Sequence, residues 1–124
     1  MNEAAMQTAD KLFRAIENGD VDAIRNIYTP ATKIWHNNDG IEQTVEQNLA
    51  TLKWVIANIE GIKYTEVRRQ PTPTGFVQQH VLRGRFGDKD VALPACIICT
   101  VENGRITRLD EYLDSAQTAV FTSR

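Results

Sequence analysis

Gly104-Arg105-Ile106-Thr107-Arg108-Leu109-Asp110-Glu111-Tyr112-Leu113-Asp114 follows an Asn103-Gly104 turn and closes on a cluster of acids, and its alternation predicts a long strand. Side chains alternate faces along a strand, so Thr107, Leu109, Glu111 and Leu113 share one face and Arg108, Asp110, Tyr112 and Asp114 the other. Glu111 thereby falls between leucines on the apolar face. A core-facing carboxylate is costly unless it is paired or protonated, which makes Glu111 a candidate pocket acid or base, with a buried structural hydrogen-bond partner as the alternative.

Asn103-Gly104 is a preferred two-residue hairpin turn, so the preceding run Val91 to Val101 should pair with this strand, with Val101 opposite Ile106, Cys99 opposite Arg108 and Ile98 opposite Leu109. That run is apolar on both faces, which predicts cover by helices on one side and by a second subunit on the other. Pro94 lacks a ladder donor and marks a bulge or an edge. Cys96 and Cys99 form a CxxC, but within a strand that spacing puts them on opposite faces, as two small reduced thiols rather than a redox pair.

Further upstream, Ile62 to Gln70 and Phe76 to Phe86 read as a hairpin around Pro71-Thr72-Pro73-Thr74-Gly75. Thr44 and Gln47 form a capping box ahead of a helical stripe, Val45, Leu49, Leu52, Val55 or Ile56, and Ile59, that Gly61 ends. Thr32 to His36 reads as a short strand running into the turn-forming Asn37-Asn38-Asp39-Gly40. Ala5, Met6, Ala9, Leu12, Phe13 and Ile16 mark a first helix over residues 3–17, stopped by Asn18-Gly19, and Asp20 caps a second, closed by Thr29-Pro30. Ser115 to Phe121 reads as a short helix or arm, and Thr122-Ser123-Arg124 as a loose end. Helix, helix, strand, helix and then strands joined as hairpins is an α+β order: a curved antiparallel sheet with helices on one face, forming a cone whose mouth admits a small ligand.

The 124 residues make a single domain, 1–124, with the 42% hydrophobic and 24% charged content of an ordinary globular protein. Lys and Arg number 14 against 16 Asp and Glu, and a net charge of -2 provides no basic field for nucleic acid. The start lacks the basic and apolar regions of a secretion signal, and no stretch approaches the roughly 20 apolar residues of a membrane span, so the expectation is a cytoplasmic protein without a membrane partner.

The chain has 2 histidines, both in strands. His36 is in phase with Ile34, and His80 with Phe76 and Leu82, although Val77 and Val81 in the opposite register leave the face of His80 ambiguous. If both face inward, His36, His80 and Glu111 converge from different strands, and an imidazole beside a buried carboxylate suits general acid and base work. Satisfied core histidines are the alternative. Trp35, Trp54 and Tyr64 could line a pocket for a flat apolar molecule, with Asn37 beside them as a polar contact. Arg83 and Arg85 read as a solvated face and Arg68-Arg69 as exposed. No local spacing of ligands supports a metal site, and no phosphate-gripping or dinucleotide glycine pattern supports a cofactor.

This element order, the segment Ala31-Thr32-Lys33-Ile34-Trp35-His36-Asn37 and the closing run from Asn103 to Asp114 together resemble the SnoaL-like branch of the nuclear transport factor 2-like superfamily, which includes ketosteroid isomerase, limonene-epoxide hydrolase and polyketide cyclases. The resemblance implies a cone-shaped, cystatin-like α+β fold and a homodimer through the sheet. It makes Glu111 the pocket acid, and it puts His36 where the isomerases carry their catalytic aspartate. The hydrolases' Arg, one residue, Asp pair is matched only by Arg85-Phe86-Gly87, which loses the aspartate and argues against epoxide hydrolysis. The expected activity is cofactor-independent proton transfer on a small apolar carbonyl compound, as an isomerase, cyclase or dehydratase. In it His36 is the base, Glu111 the acid or orienting partner, and His80 with Asn37 the hydrogen-bonding groups for the substrate oxygen. A non-catalytic ligand-binding or dimeric assembly domain is the alternative.

Overall fold

A computed structural model describes residues 3–121; the start of the chain and the expected loose end at Thr122-Ser123-Arg124 lie outside the described residues. Helix α1 (Glu3–Glu17) buries Ala5, Ala9, Leu12, Phe13 and Ile16 of the stripe its sequence spaces at three and four, with Met6 only partly buried beside them. Its end is closed by Gly19 at φ +68, where the Gly19 N–H reaches the Ile16 carbonyl and the Asp20 N–H the Ala15 carbonyl. The Asp20 carboxylate then accepts the Ala23 N–H at 3.1 Å and starts α2 (Val21–Ile27).

Strand β1 (Tyr28–His36) begins directly at the end of α2, four residues before the start expected from sequence. Pro30 is tolerated because it sits in the register break between Tyr28 and Lys33, where the ladder asks for no donor; there Thr32 Oγ1 donates instead to the Ile106 carbonyl at 2.6 Å. A short β2 (Glu42–Gln43), missing from the sequence reading, pairs with β1. Helix α3 (Val45–Asn58) carries the expected capping box: the Gln47 N–H donates to Thr44 Oγ1, and the Thr44 N–H to Gln47 Oε1 at 2.9 Å.

Four long strands follow: β3 (Glu60–Thr72), β4 (Gly75–Phe86), β5 (Lys89–Glu102) and β6 (Arg105–Leu113), and then a 3-10 turn, Ser115–Phe121. The sheet order is β2-β1-β6-β5-β4-β3, antiparallel except for the β1–β6 pair, in a curved and unclosed sheet. The helices cover its inner face, where Ile34, Ile62, Phe76, Val91, Ile97, Cys99, Ile106 and Leu109 join α1 and α3 in the core. Pro71 lies inside β3 rather than in a turn, which costs little because β3 is an edge strand.

Two registers depart from simple alternation. Between β5 and β6, Val101 faces Ile106 as expected, but Thr100 then faces Arg108, so Thr107 is an extra residue. Beyond this bulge Cys99 lies opposite Leu109 and Ile98 opposite Asp110, one residue off the expected pairing. Ile106, and not Thr107, shares the inner face with Leu109 and Glu111. In β3, Thr65 faces Val81 and Arg68 faces Gln79, so Glu66 and Val67 together oppose His80, with Glu66 at φ +53. Pro94 makes no bulge: its carbonyl accepts the Asp114 N–H at 3.1 Å just where β6 ends, so its missing N–H falls past the last ladder position. Cys99 is buried on the inner face, Cys96 stands opposite Tyr112 on the outer one, and both are free thiols.

Candidate active site

The parallel register of β1 and β6 sets His36 beside Glu111, two residues beyond Ile34 beside Leu109, so both side chains leave the sheet on its inner face. His36 Nε2 lies 3.0 Å from Glu111 Oε1, with the two side chains 16% and 21% exposed. Burial works against a charged imidazole, but the hydrogen bond accepted by Glu111 and the charges of Glu111 and Asp39 outweigh it, so His36 holds its proton above the ordinary histidine range. Asn37 secures the same strand end. Its N–H donates to the Glu111 carbonyl at 3.0 Å, its Oδ1 accepts the Leu113 N–H at 2.8 Å and its Nδ2 donates to the Leu113 carbonyl at 3.3 Å.

His80 also faces inward, settled by the β4–β5 register that aligns Phe76 with Cys99, Gln78 with Ile97 and His80 with Ala95. Its ring lies edge-on to Phe13 at 5.5 Å and to Tyr64 at 4.7 Å. Burial, aided by the Arg69 charge and opposed by that of Glu111, depresses its pKa to about 4, so His80 is neutral at physiological pH. The Tyr64 phenol is pushed well up by burial and by the Glu111 charge, and stays protonated. Glu111 also acts on Tyr28 and Cys99, which places its carboxylate at the electrostatic centre of the interior.

Neither the Tyr64 hydroxyl nor His80 Nε2 has a protein hydrogen-bond partner among the described residues, where no buried side-chain nitrogen or oxygen is left unpartnered. The interior combines an imidazole–carboxylate pair with a protonated phenol and a neutral imidazole, a set that can exchange a proton and hydrogen-bond an oxygen.

The other residues expected at the site are placed differently. Trp35 lies opposite Asp110 and packs on Tyr112 at 5.2 Å; strand alternation puts it on the outer face, away from His36 and Glu111, which removes it from the interior set. The Asn37 amide is engaged on the Leu113 backbone through both its oxygen and its nitrogen, which ties the end of β1 to β6. Trp54 is 45% exposed on α3 and packs on Phe86 and Phe121. Arg83 and Arg85 are exposed and paired with Glu66 and Asp90, as a solvated face requires. Asp110 is bound by Arg108, which also reaches Glu42, on the outer face. Arg69, expected to be exposed, instead turns inward to Gln78, and neither was singled out from sequence. Gln78 carried a readable signal: it lies in phase with Phe76 and His80, and it is fully buried. Among the described residues no group of three or more His, Cys, Asp or Glu is arranged to hold a metal ion, and no helix is long and apolar enough to cross a membrane.

The SnoaL-like domain model matches residues 9–109. No curated protein matches the sequence. Similar solved structures include a candidate polyketide cyclase from Xanthomonas campestris pv. campestris, 16% identical with a TM-score of 0.83 over 98% of each chain. An LEH-like epoxide hydrolase of M. tuberculosis is 16% identical, with a TM-score of 0.77 over 94% of this chain and 87% of its own. A protein of ketosteroid isomerase-like fold from Catenulispora acidiphila, solved with trimethylamine, is 15% identical, with a TM-score of 0.79 over 90% of this chain and 88% of its own. At these identities the likeness is one of fold.

Proposed function

Because the chain belongs to the SnoaL-like domain family, we propose that it is a small cofactor-independent enzyme that moves a proton on a small apolar carbonyl compound, by isomerisation, cyclisation or dehydration. The observation that carries this reading is the 3.0 Å contact of His36 Nε2 with Glu111 Oε1, made inside a cone that also presents Tyr64 and the neutral His80.

In this reading the roles of the two groups are exchanged relative to the expectation from sequence. With its Nε2–H donated to Oε1, His36 has no lone pair on that nitrogen for a substrate. Glu111 Oε2 has no partner among the described residues and is the atom that takes the proton. The substrate C–H bond next to the carbonyl breaks, its electron pair moves into the enolate, and the enolate oxygen receives hydrogen bonds from Tyr64 O–H and His80 Nε2–H. The protonated Glu111 then returns its proton to carbon, or to a leaving oxygen in a dehydration. His36 keeps the carboxylate oriented and carries part of its charge change.

Deuterium uptake from heavy water into the carbon next to the carbonyl, followed by proton NMR over a panel of apolar enones and β-diketones, tests this directly. Exchange faster than in buffer for at least one compound, abolished in Glu111→Gln, is expected. Exchange at the buffer rate across a panel of compounds that demonstrably bind would sink the proton-transfer reading and leave ligand binding.

The same reading includes a homodimer through the outer sheet face, supported by Ile98 and Tyr112, which stand there 44% and 49% exposed. Sedimentation is expected to give a dimer at micromolar concentration and a monomer for Ile98→Glu; a wild-type monomer at all concentrations would remove it.

A further inference from the structure

Three polar residues outside the reacting pair connect to His80 in a line. Asp10 Oδ1 accepts from Arg69 Nη1 at 2.6 Å, Arg69 Nε donates to Gln78 Oε1 at 2.7 Å, and Gln78 Nε2 lies 2.9 Å from His80 Nδ1. We propose that this chain fixes His80 as a neutral imidazole protonated on Nε2, so that His80 meets the ligand only as a hydrogen-bond donor and selects ligands with an uncharged or anionic oxygen.

The assignment follows from what each group can do. A guanidinium has donors only, so the oxygen of the Gln78 amide must face Arg69. The amide's NH2 then faces His80, and it too can only donate. His80 Nδ1 is therefore the acceptor, and the ring proton of the neutral imidazole sits on Nε2. Turning the amide over would set its NH2 against the Arg69 N–H at 2.7 Å, donor to donor, which removes the usual ambiguity between the two orientations. A proton on Nδ1 would oppose the Gln78 NH2 in the same way. Gln78 is fully buried, so neither clash could be relieved by water.

Arg69 is available for this task because of the β3 bulge. Tyr64 faces Leu82 and Arg69 faces Gln78, both on the inner face, although five positions separate them along the strand. In an unbroken strand an odd separation would put them on opposite faces; the extra residue at Glu66-Val67 restores Arg69 to the inside. There its guanidinium stacks over the Phe13 ring at 5.8 Å, and Asp10 of α1 anchors its outer end.

The charged and titratable groups acting on His80 agree with a fixed neutral ring. Arg69 on β3 opposes a second positive charge, Tyr64 on β3 is a protonated phenol, and only Glu111 on β6 favours protonation, against the larger effect of burial. Asp10 is held by Arg69 and acts through it. Arg69 and Gln78 are thus positioning residues. The tautomer stands on its own geometry, whereas the ligand preference rests on the proton-transfer reading above, in which His80 binds the enolate oxygen.

Two-bond 1H–15N correlation of the histidine rings tests the proposal on the intact protein. The wild type is expected to show His80 Nδ1 bare and Nε2 protonated, unchanged between about pH 5 and about pH 8. Gln78→Glu places a carboxylate that accepts from both neighbours, and is expected to move the His80 proton to Nδ1 and to make the ring titrate within that range. With a turned-over substrate, at about pH 8 where the variant ring is neutral, the loss of the Nε2–H donor is expected to lower kcat by about 10²- to 10³-fold. A wild-type proton on Nδ1, or a mixture of tautomers, overturns the proposal without any variant. So does a folded Gln78→Glu with an unchanged tautomer. Neither readout needs a substrate, so an absence of turnover counts against the enzyme reading alone.

Discussion

Glu111→Gln is expected to lower any turnover the wild type shows by about 10²- to 10⁴-fold, the usual worth of a positioned general base, and to reverse the pKa shift of His36. The sign follows from the contributions to that shift. Burial alone pulls the imidazole down, and the hydrogen bond and charge of Glu111 bring it above its ordinary value of 6.5. Glutamine keeps an acceptor but no charge, and the remaining contribution of Asp39 is the smallest of the set, so His36 in the variant should titrate below 6.5. An NMR titration of the His36 ring reads this without a substrate. An unchanged His36 pKa in a folded variant would mean that the two groups are not coupled and that the proposed dyad does not exist.

The second large effect is on stability as a function of pH. The folded-state pKa of His80 lies at about 4 against 6.5 when free, so as pH falls below 6.5 the unfolded chain takes up a proton that the folded protein refuses. Stability is fully present above 6.5 and is lost as pH falls through about 4, by about 3 kcal/mol at roughly 1.4 kcal/mol per unit. His36 acts in the opposite direction. Its folded pKa is raised, so its contribution is complete below 6.5 and disappears as pH rises through its folded-state value. Together the histidines should place the stability maximum near pH 6.5. Urea unfolding across the pH range should show the acid-side slope in the wild type and lose it in His80→Gln. A wild type with constant stability between about pH 6.5 and about pH 4 would contradict a buried, neutral His80.

The legible parts of this fold are those governed by local chemistry. The α1 stripe, the Asp20 cap, the Thr44-Gln47 box and the Asn103-Gly104 turn each depend on neighbours in sequence, and each appears as read. Glu111 was legible because a carboxylate between leucines conflicts with its surroundings, and the β1–β6 pairing sets His36 beside it. What escaped depends on partners distant in sequence. Pairing at Asp110 and Tyr112 carries Trp35 to the outer face, although an aromatic next to a candidate base reads equally well as pocket lining. The Asn37 amide reads from sequence as a substrate contact because its partner, the Leu113 backbone, lies at the far end of the chain. Arg69 looked like half of a solvated charge run because nothing in Thr65-Glu66-Val67-Arg68 announces an extra residue, and a one-residue slip exchanges inside for outside.

That slip bears on how relatives should be aligned. At about 16% identity, an alignment that slides by one residue across Glu66-Val67 would equate Arg68 with Arg69, and one that slides across Thr107 would equate Asp110 with Glu111. Each error exchanges a solvent-facing side chain for one in the interior while leaving the matched residue type nearly unchanged. Equivalent positions across the family are therefore best numbered outward from each bulge, and a one-codon deletion or insertion at either point would be enough to give a descendant a different interior acid or cation.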